Sequence, residues 1–147
     1  MKIKKILYAI LVLLWMVTVF CFSSQNGEES QSTSDVFTNW IVKVFNIDKR
    51  DDSEYIKETI SFAVRKIAHF SIYFAGGFCI YGFFSTFNLD KKQIIIYTIL
   101  FGFLYACFDE FHQSFVSERS GQVRDVFIDT LGVCLISLIR NFFCRKD

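Results

Sequence analysis

The chain has 147 residues, 52% of them hydrophobic and 18% aromatic, with a formal net charge of +1. That net charge says nothing about nucleic acid, but neither a basic stripe nor a recognisable nucleic-acid motif is present, so a nucleic-acid partner is set aside. A soluble domain of this size would not need apolar runs as long as those found here, so the class expected is an integral membrane protein.

The first apolar run, about 6–22, carries no charge and follows Lys2, Lys4 and Lys5. At about 1.5 Å per residue it extends roughly 25 Å, most of a bilayer's hydrocarbon core. It is long for a signal-peptide core and no small-x-small site follows, so an uncleaved anchor is expected. Residues 23–66 then form the long connection. It opens on the linker-like stretch SSQNGEESQSTSD. After a cap expected at Ser34 or Asp35, Val36, Phe37, Trp40, Ile41, Val44 and Phe45 recur at helical spacing. This amphipathic helix either lies on the membrane interface with Trp40 at headgroup level or caps the mouth of the bundle. A short helix, about Glu54 to Val64, runs into the second span.

The second span is expected at about 67–87, the third at about 94–108 and the fourth at about 126–143. The third continues helically into DEFHQSF. Gly76, Gly77 and Gly82 on the second span offer a small-residue face for a neighbouring helix or for a homo-oligomer. The fold class is therefore all-α, a single domain over 1–147, built as a four-transmembrane-helix bundle with an amphipathic helix in its first extracytoplasmic loop. Short segments dense in Lys and Arg stay in the cytoplasm, which sets the orientation N-in, C-in. The inner segments then hold eight basic against two acidic residues, and the outer segments eight basic against thirteen acidic. The cysteines at 21, 79, 107, 134 and 144 lie in or beside apolar runs without a C-x-x-C pair, so they read as small apolar filling.

This topology gathers the unusual polar residues at the outer ends of the spans. Ser23, Ser24 and Gln25 follow span one, and Arg65, Lys66, His69 and Tyr73 enter span two. Asp109, Glu110, His112 and Gln113 leave span three, while Arg119, Arg124, Asp125 and Asp129 lead into span four. Arg65 with His69, His69 with Tyr73, and Asp125 with Asp129 are spaced i,i+4, so each pair shares a helix face. Ionisable groups at membrane depth cost about 2.5–3.5 kcal/mol each, so they are expected to satisfy one another or to serve a ligand. A closed network of four acids and four bases needs no ligand. The functional alternative is a pocket in which Arg119 and Arg124 fork onto a phosphate or carboxylate. His112 or His69 then serves as general acid or base, held by Asp109 or Tyr73. A metal held by His69, His112, Asp109 and Asp129 is conceivable, but there is no H-E-x-x-H, and no metal or cofactor is expected. Ser23 and Ser24 lack a base in sequence, and one of them is expected to close the first helix.

Three stretches resemble the VanZ-like family, named for a teicoplanin-resistance accessory protein. They are FSSQ (Phe22 to Gln25), RKIAHFSIYFAGG (Arg65 to Gly77) and DEFHQSFVSERSGQVRDVFIDTLG (Asp109 to Gly132). The third is the most specific, with D-E-x-H-Q-x-F, R-x-G, R-D and D-x-x-G at set spacing. One departure is Ser117-Glu118, where the family often places a proline before the arginine. The resemblance implies a multi-pass protein of the bacterial cytoplasmic membrane with its polar site on the extracytoplasmic face. It selects Ser24, Gln25, Lys66, His69, Tyr73, Asp109, Glu110, His112, Gln113, Arg119, Arg124, Asp125 and Asp129. Two functions from different classes follow. One is binding of a lipid-linked envelope component or lipoglycopeptide at the outer leaflet, lowering teicoplanin susceptibility. The other is acid–base catalysis on an extracytoplasmic phosphate- or carboxylate-bearing lipid through His112, His69, Asp109 and Glu110. A transporter is disfavoured, because no charged or broken helix crosses the midplane.

Overall fold

A computed structural model describes residues 2–45 and 53–143. Cys144 and the charges at Asp48, Lys49, Arg50, Asp51, Asp52, Arg145, Lys146 and Asp147 lie outside the described residues. Within them the chain is all-helical: α1 Lys2–Ser23, α2 Gly27–Val44, α3 Ser53–Phe84, α4 Lys91–Gln113 and α5 Val123–Phe143. Four of these, α1, α3, α4 and α5, are long and apolar enough to cross a membrane. Their outward faces carry Leu13, Leu14, Leu104, Phe108, Leu131 and Leu138, all more than half exposed. Such a belt is untenable in water and suits a bilayer.

The core shared by these helices contains Val12, Trp15, Tyr73, Ile80, Ala106 and Val133. Glycine sets how closely they approach. Gly77 of α3 lies against Val133 and Ile136 of α5, and Gly132 of α5 lies against the Phe70 carbonyl of α3. Gly76 sits beneath the Trp15 indole and Gly82 beneath the Tyr8 ring. The α3 glycine face is thus filled from inside the chain, so of the two uses expected of it the neighbouring helix is the one these contacts show. Small residues in lipid favour close van der Waals packing, and here α1 and α5 take that place. Trp15 Nε1 donates to Ile72 O (2.9 Å) and Tyr105 Oη to Met16 O (2.6 Å), fastening α1 to α3 and α4. At the far end Arg140 donates to Phe78 O (2.7 Å) and stacks on the Phe78 and Tyr81 rings.

The structure corrects the reading of residues 23–35. α2 begins eight residues before Asp35, capped by Asn26, whose side chain accepts from Glu29 N (2.8 Å), so Ser34 and Asp35 are mid-helix. The polar stretch folds because its small side chains are the packed face. Ser34 and Thr38 are buried, and Gln31 Nε2 donates to Ser61 Oγ of α3 (3.0 Å). Val36, Phe37, Trp40 and Val44 point away from the protein. α3 has 32 residues, about 48 Å at helical rise, longer than a hydrocarbon core of about 30 Å. The excess turns at its start are the part that α2 packs on.

Candidate functional site

The end of α1, the middle of α3, the end of α4 and the start of α5 meet at one end of the bundle, and α2 lies across it. Between them is a cavity of about 170 Å³. Ser23 and Gln25 come from the end of α1 and just beyond it, Ser30, Thr33 and Ser34 from α2, and Arg65, His69 and Tyr73 from α3. Asp109 and Gln113 come from α4 and Arg119 from the α4–α5 loop, while Val19, Phe22, Ala68 and Ile72 make an apolar wall. The i,i+4 spacing of Arg65, His69 and Tyr73 places all three on the cavity side of one helix.

Acidic groups gather at the floor. Asp129 has no solvent exposure and lies 3.5 Å from His69 Nδ1. Asp109 accepts from Gln113 Nε2 (3.2 Å), and Glu110 Oε2 accepts from Gln122 N (2.7 Å). The hydroxyl of Tyr73 makes no hydrogen bond, so His69 is paired with Asp129 rather than oriented by Tyr73.

Two cations look into this space. Among the described residues neither Arg65 nor Arg119 forms an ion pair. Burial holds the Arg119 pKa below the usual guanidinium range, with Arg65 adding to the effect and Asp109 and Glu110 opposing it. Like charges so placed attract an anion from outside.

Several expected residues stand elsewhere. Arg124 is exposed, 5.4 Å from the Phe62 ring, and does not line the cavity; the two guanidiniums that line it are Arg119 and Arg65. Lys66 donates to both carboxylate oxygens of Asp125, which closes that pair outside the cavity. Ser24 Oγ donates to Phe20 O (2.7 Å), ending α1 as its position predicts. His112 does not line the cavity. Its ring packs at a tilt against Phe20 (centroids 4.6 Å apart) and its Nδ1 lies 3.3 Å from the buried Ser23 Oγ. A base therefore stands beside Ser23, 89 positions away in sequence, where local spacing showed none. Ser30, Thr33 and Ser34 gave no signal as site residues, because a polar run without apolar periodicity reads as linker.

The model for the VanZ/LLP1 family matches residues 8–143. The chain belongs to the VanZ/LLP1 family. No curated protein and no solved structure matches it. In this VanZ/LLP1 chain the matched region includes all five helices almost entirely, and with them each residue of the cavity and its floor. The loop that departs from the family pattern is formed through Glu118, whose φ of 60° no proline ring can adopt. It is held against α2, with Gly27 N donating to Ser117 O (3.3 Å).

Proposed function

We propose that this VanZ/LLP1 membrane protein binds the anionic headgroup of a lipid-linked envelope component, or of a lipoglycopeptide, at the outer leaflet of a bacterial cytoplasmic membrane. The observation that carries the reading is the pair of guanidiniums, Arg65 and Arg119, without an ion pair among the described residues and facing one cavity whose other wall is apolar. Guanidiniums fork onto phosphate or carboxylate, while Val19, Phe22 and Ile72 suit the first methylenes of a lipid tail. The outward apolar residues of α2, Trp40 among them, suit a helix lying in the headgroup layer beside the opening.

The test uses purified protein in nanodiscs of zwitterionic lipid, titrated with a polyisoprenyl phosphate and separately with teicoplanin. Arg65→Gln combined with Arg119→Gln is expected to weaken binding of the active ligand at least about tenfold, equivalent to the loss of one charged hydrogen bond. Arg124→Gln, outside the cavity, is expected to change it little. Equal affinity in the double variant, or no saturable binding of either probe, overturns the reading. Lowered teicoplanin susceptibility in a susceptible Gram-positive host, at matched membrane levels and abolished by the double variant, supports the lipoglycopeptide arm.

A second reading is favoured by one contact, Ser23 Oγ to His112 Nδ1 at 3.3 Å. A hydroxyl beside an imidazole at the edge of an anion-attracting cavity suits general-base catalysis on a phosphate- or carboxylate-bearing lipid. An altered envelope lipid that depends on the protein and disappears with Ser23→Ala selects catalysis over binding.

A further inference from the structure

We propose that the floor of the cavity is a binding site for one divalent transition-metal ion, held by His69, Asp109, Glu110 and Asp129. The four residues come from α3, α4 and α5, and each offers a ligand atom within 4.8 Å of every other. Bonds of about 2.0–2.2 Å place ligand atoms at most about 4.4 Å apart, so a contraction of a few tenths of an ångström completes the set.

The second observation is what these atoms lack. Asp129 is fully buried, and among the described residues neither of its carboxylate oxygens has a hydrogen-bond partner, the one group that approaches it being the His69 imidazole at 3.5 Å. Glu110 Oε1, His69 Nδ1 and the Tyr73 hydroxyl are also buried and without a hydrogen bond. Buried polar groups normally find partners, and a carboxylate away from water is among the most costly to leave alone. The fold does supply a counter-ion where one carboxylate needs it. Lys66 reaches Asp125, one turn before Asp129 on the same helix. No lysine or arginine forms an ion pair with Asp109, Glu110 or Asp129 among the described residues. Three carboxylates and one imidazole, converging with vacant lone pairs, are a donor set for a cation.

The chemistry of the set narrows the ion. One nitrogen and several carboxylate oxygens suit manganese, iron or zinc, whereas magnesium retains several waters and seldom uses an all-protein cage. His69 and Asp109 also line the cavity, so the ion has an entry path and a face left for an exogenous ligand. That face lies on the same side as Arg65 and Arg119, which makes an anion the fitting ligand. The metal site itself does not rest on the headgroup reading.

Protein purified in detergent and stripped with chelator is incubated with Mn²⁺, Zn²⁺ or Co²⁺ and desalted. Metal content is measured by mass spectrometry, and the environment by Mn²⁺ paramagnetic resonance and Co²⁺ visible absorption. Wild type is expected to retain about one ion per chain, with Co²⁺ bands of a low-symmetry site. Asp129→Asn and Glu110→Gln are each expected to weaken affinity at least about tenfold. The exposed Glu54→Gln serves as the control and is expected to bind as wild type. Glu110→Gln guards against a folding failure of Asp129→Asn, because Glu110 keeps its contact to Gln122 N through an amide oxygen. Failure of all three ions to bind stoichiometrically, or undiminished binding in both variants, overturns the site. Retained metal in the Arg65→Gln, Arg119→Gln double variant, with headgroup binding lost, separates this inference from the proposed function.

Discussion

At the residue scale the α4–α5 loop makes a sharp claim about Glu118. A non-glycine residue with φ near 60° is held in a sparsely populated region and costs of order 1–3 kcal/mol. Glu118→Gly is therefore expected to raise stability by up to about 1 kcal/mol, after allowing for the entropy that glycine gains in the unfolded chain. Glu118→Pro, the residue type the family often places in this stretch, is expected to lower it by more than about 1 kcal/mol. Thermal unfolding in detergent, followed by circular dichroism, checks both signs. If proline at 118 were stabilising, the loop would not have this conformation. The same scale shows what spacing can and cannot disclose. The i,i+4 pairs on α3 and the position of Asp129 were legible, because a helix period fixes which residues share a face. The choice among neighbours was not. Ser23 rather than Ser24 reaches the cavity, a choice that turns on about 100° of helix rotation, and Arg65 of α3 rather than Arg124 of α5 reaches it, a choice between two helices that only their packing decides.

At the scale of elements the α3–α5 contact decides whether the site exists. A Cβ on Gly132 would stand 2.7 Å from Phe70 O and 3.1 Å from Phe74 N, both backbone atoms that cannot rotate away. Gly132→Ala is expected to push the helices apart, with a loss of about 1–3 kcal/mol, and to move Asp129 away from His69. Gly102→Ala meets only the side chain of Val133, 2.8 Å away at the nearest, and is expected to cost less. Unfolding midpoints in one detergent give the comparison, and equal losses would mean the α3–α5 approach is looser than the structure has it. The four spans were legible as apolar runs, since bilayer thickness sets their length. α2 was legible only in its second half. Its packed face is made of serine and threonine whose hydroxyls bond back to the preceding turn, Ser34 Oγ to Ser30 O (3.1 Å) in the first half and Thr38 Oγ1 to Ser34 O (2.9 Å) just beyond it. Hydrophobic periodicity is blind to a face buried in this way.

At the scale of the molecule the two ends of the bundle differ in kind. One end carries the acidic floor, Arg65 and Arg119, and α2. The other carries Lys5 over the Phe87 ring, the Asp90–Gln93 capping box of α4 and Arg140 clipped to α3. Basic residues in short connections are retained in the cytoplasm, so the Lys5 and Arg140 end is expected inside and the cavity outside. Two exposed positions report this directly: Glu28 on α2 and Asn88 between α3 and α4. In a cysteine-free background, a membrane-impermeant maleimide added to intact cells is expected to label Glu28→Cys at once, and Asn88→Cys only after permeabilisation. The reverse pattern would put the cavity in the cytoplasm. It would remove envelope lipids and lipoglycopeptides as its ligands, while leaving the metal site untouched, because the floor is built from α3, α4 and α5 whichever way they cross.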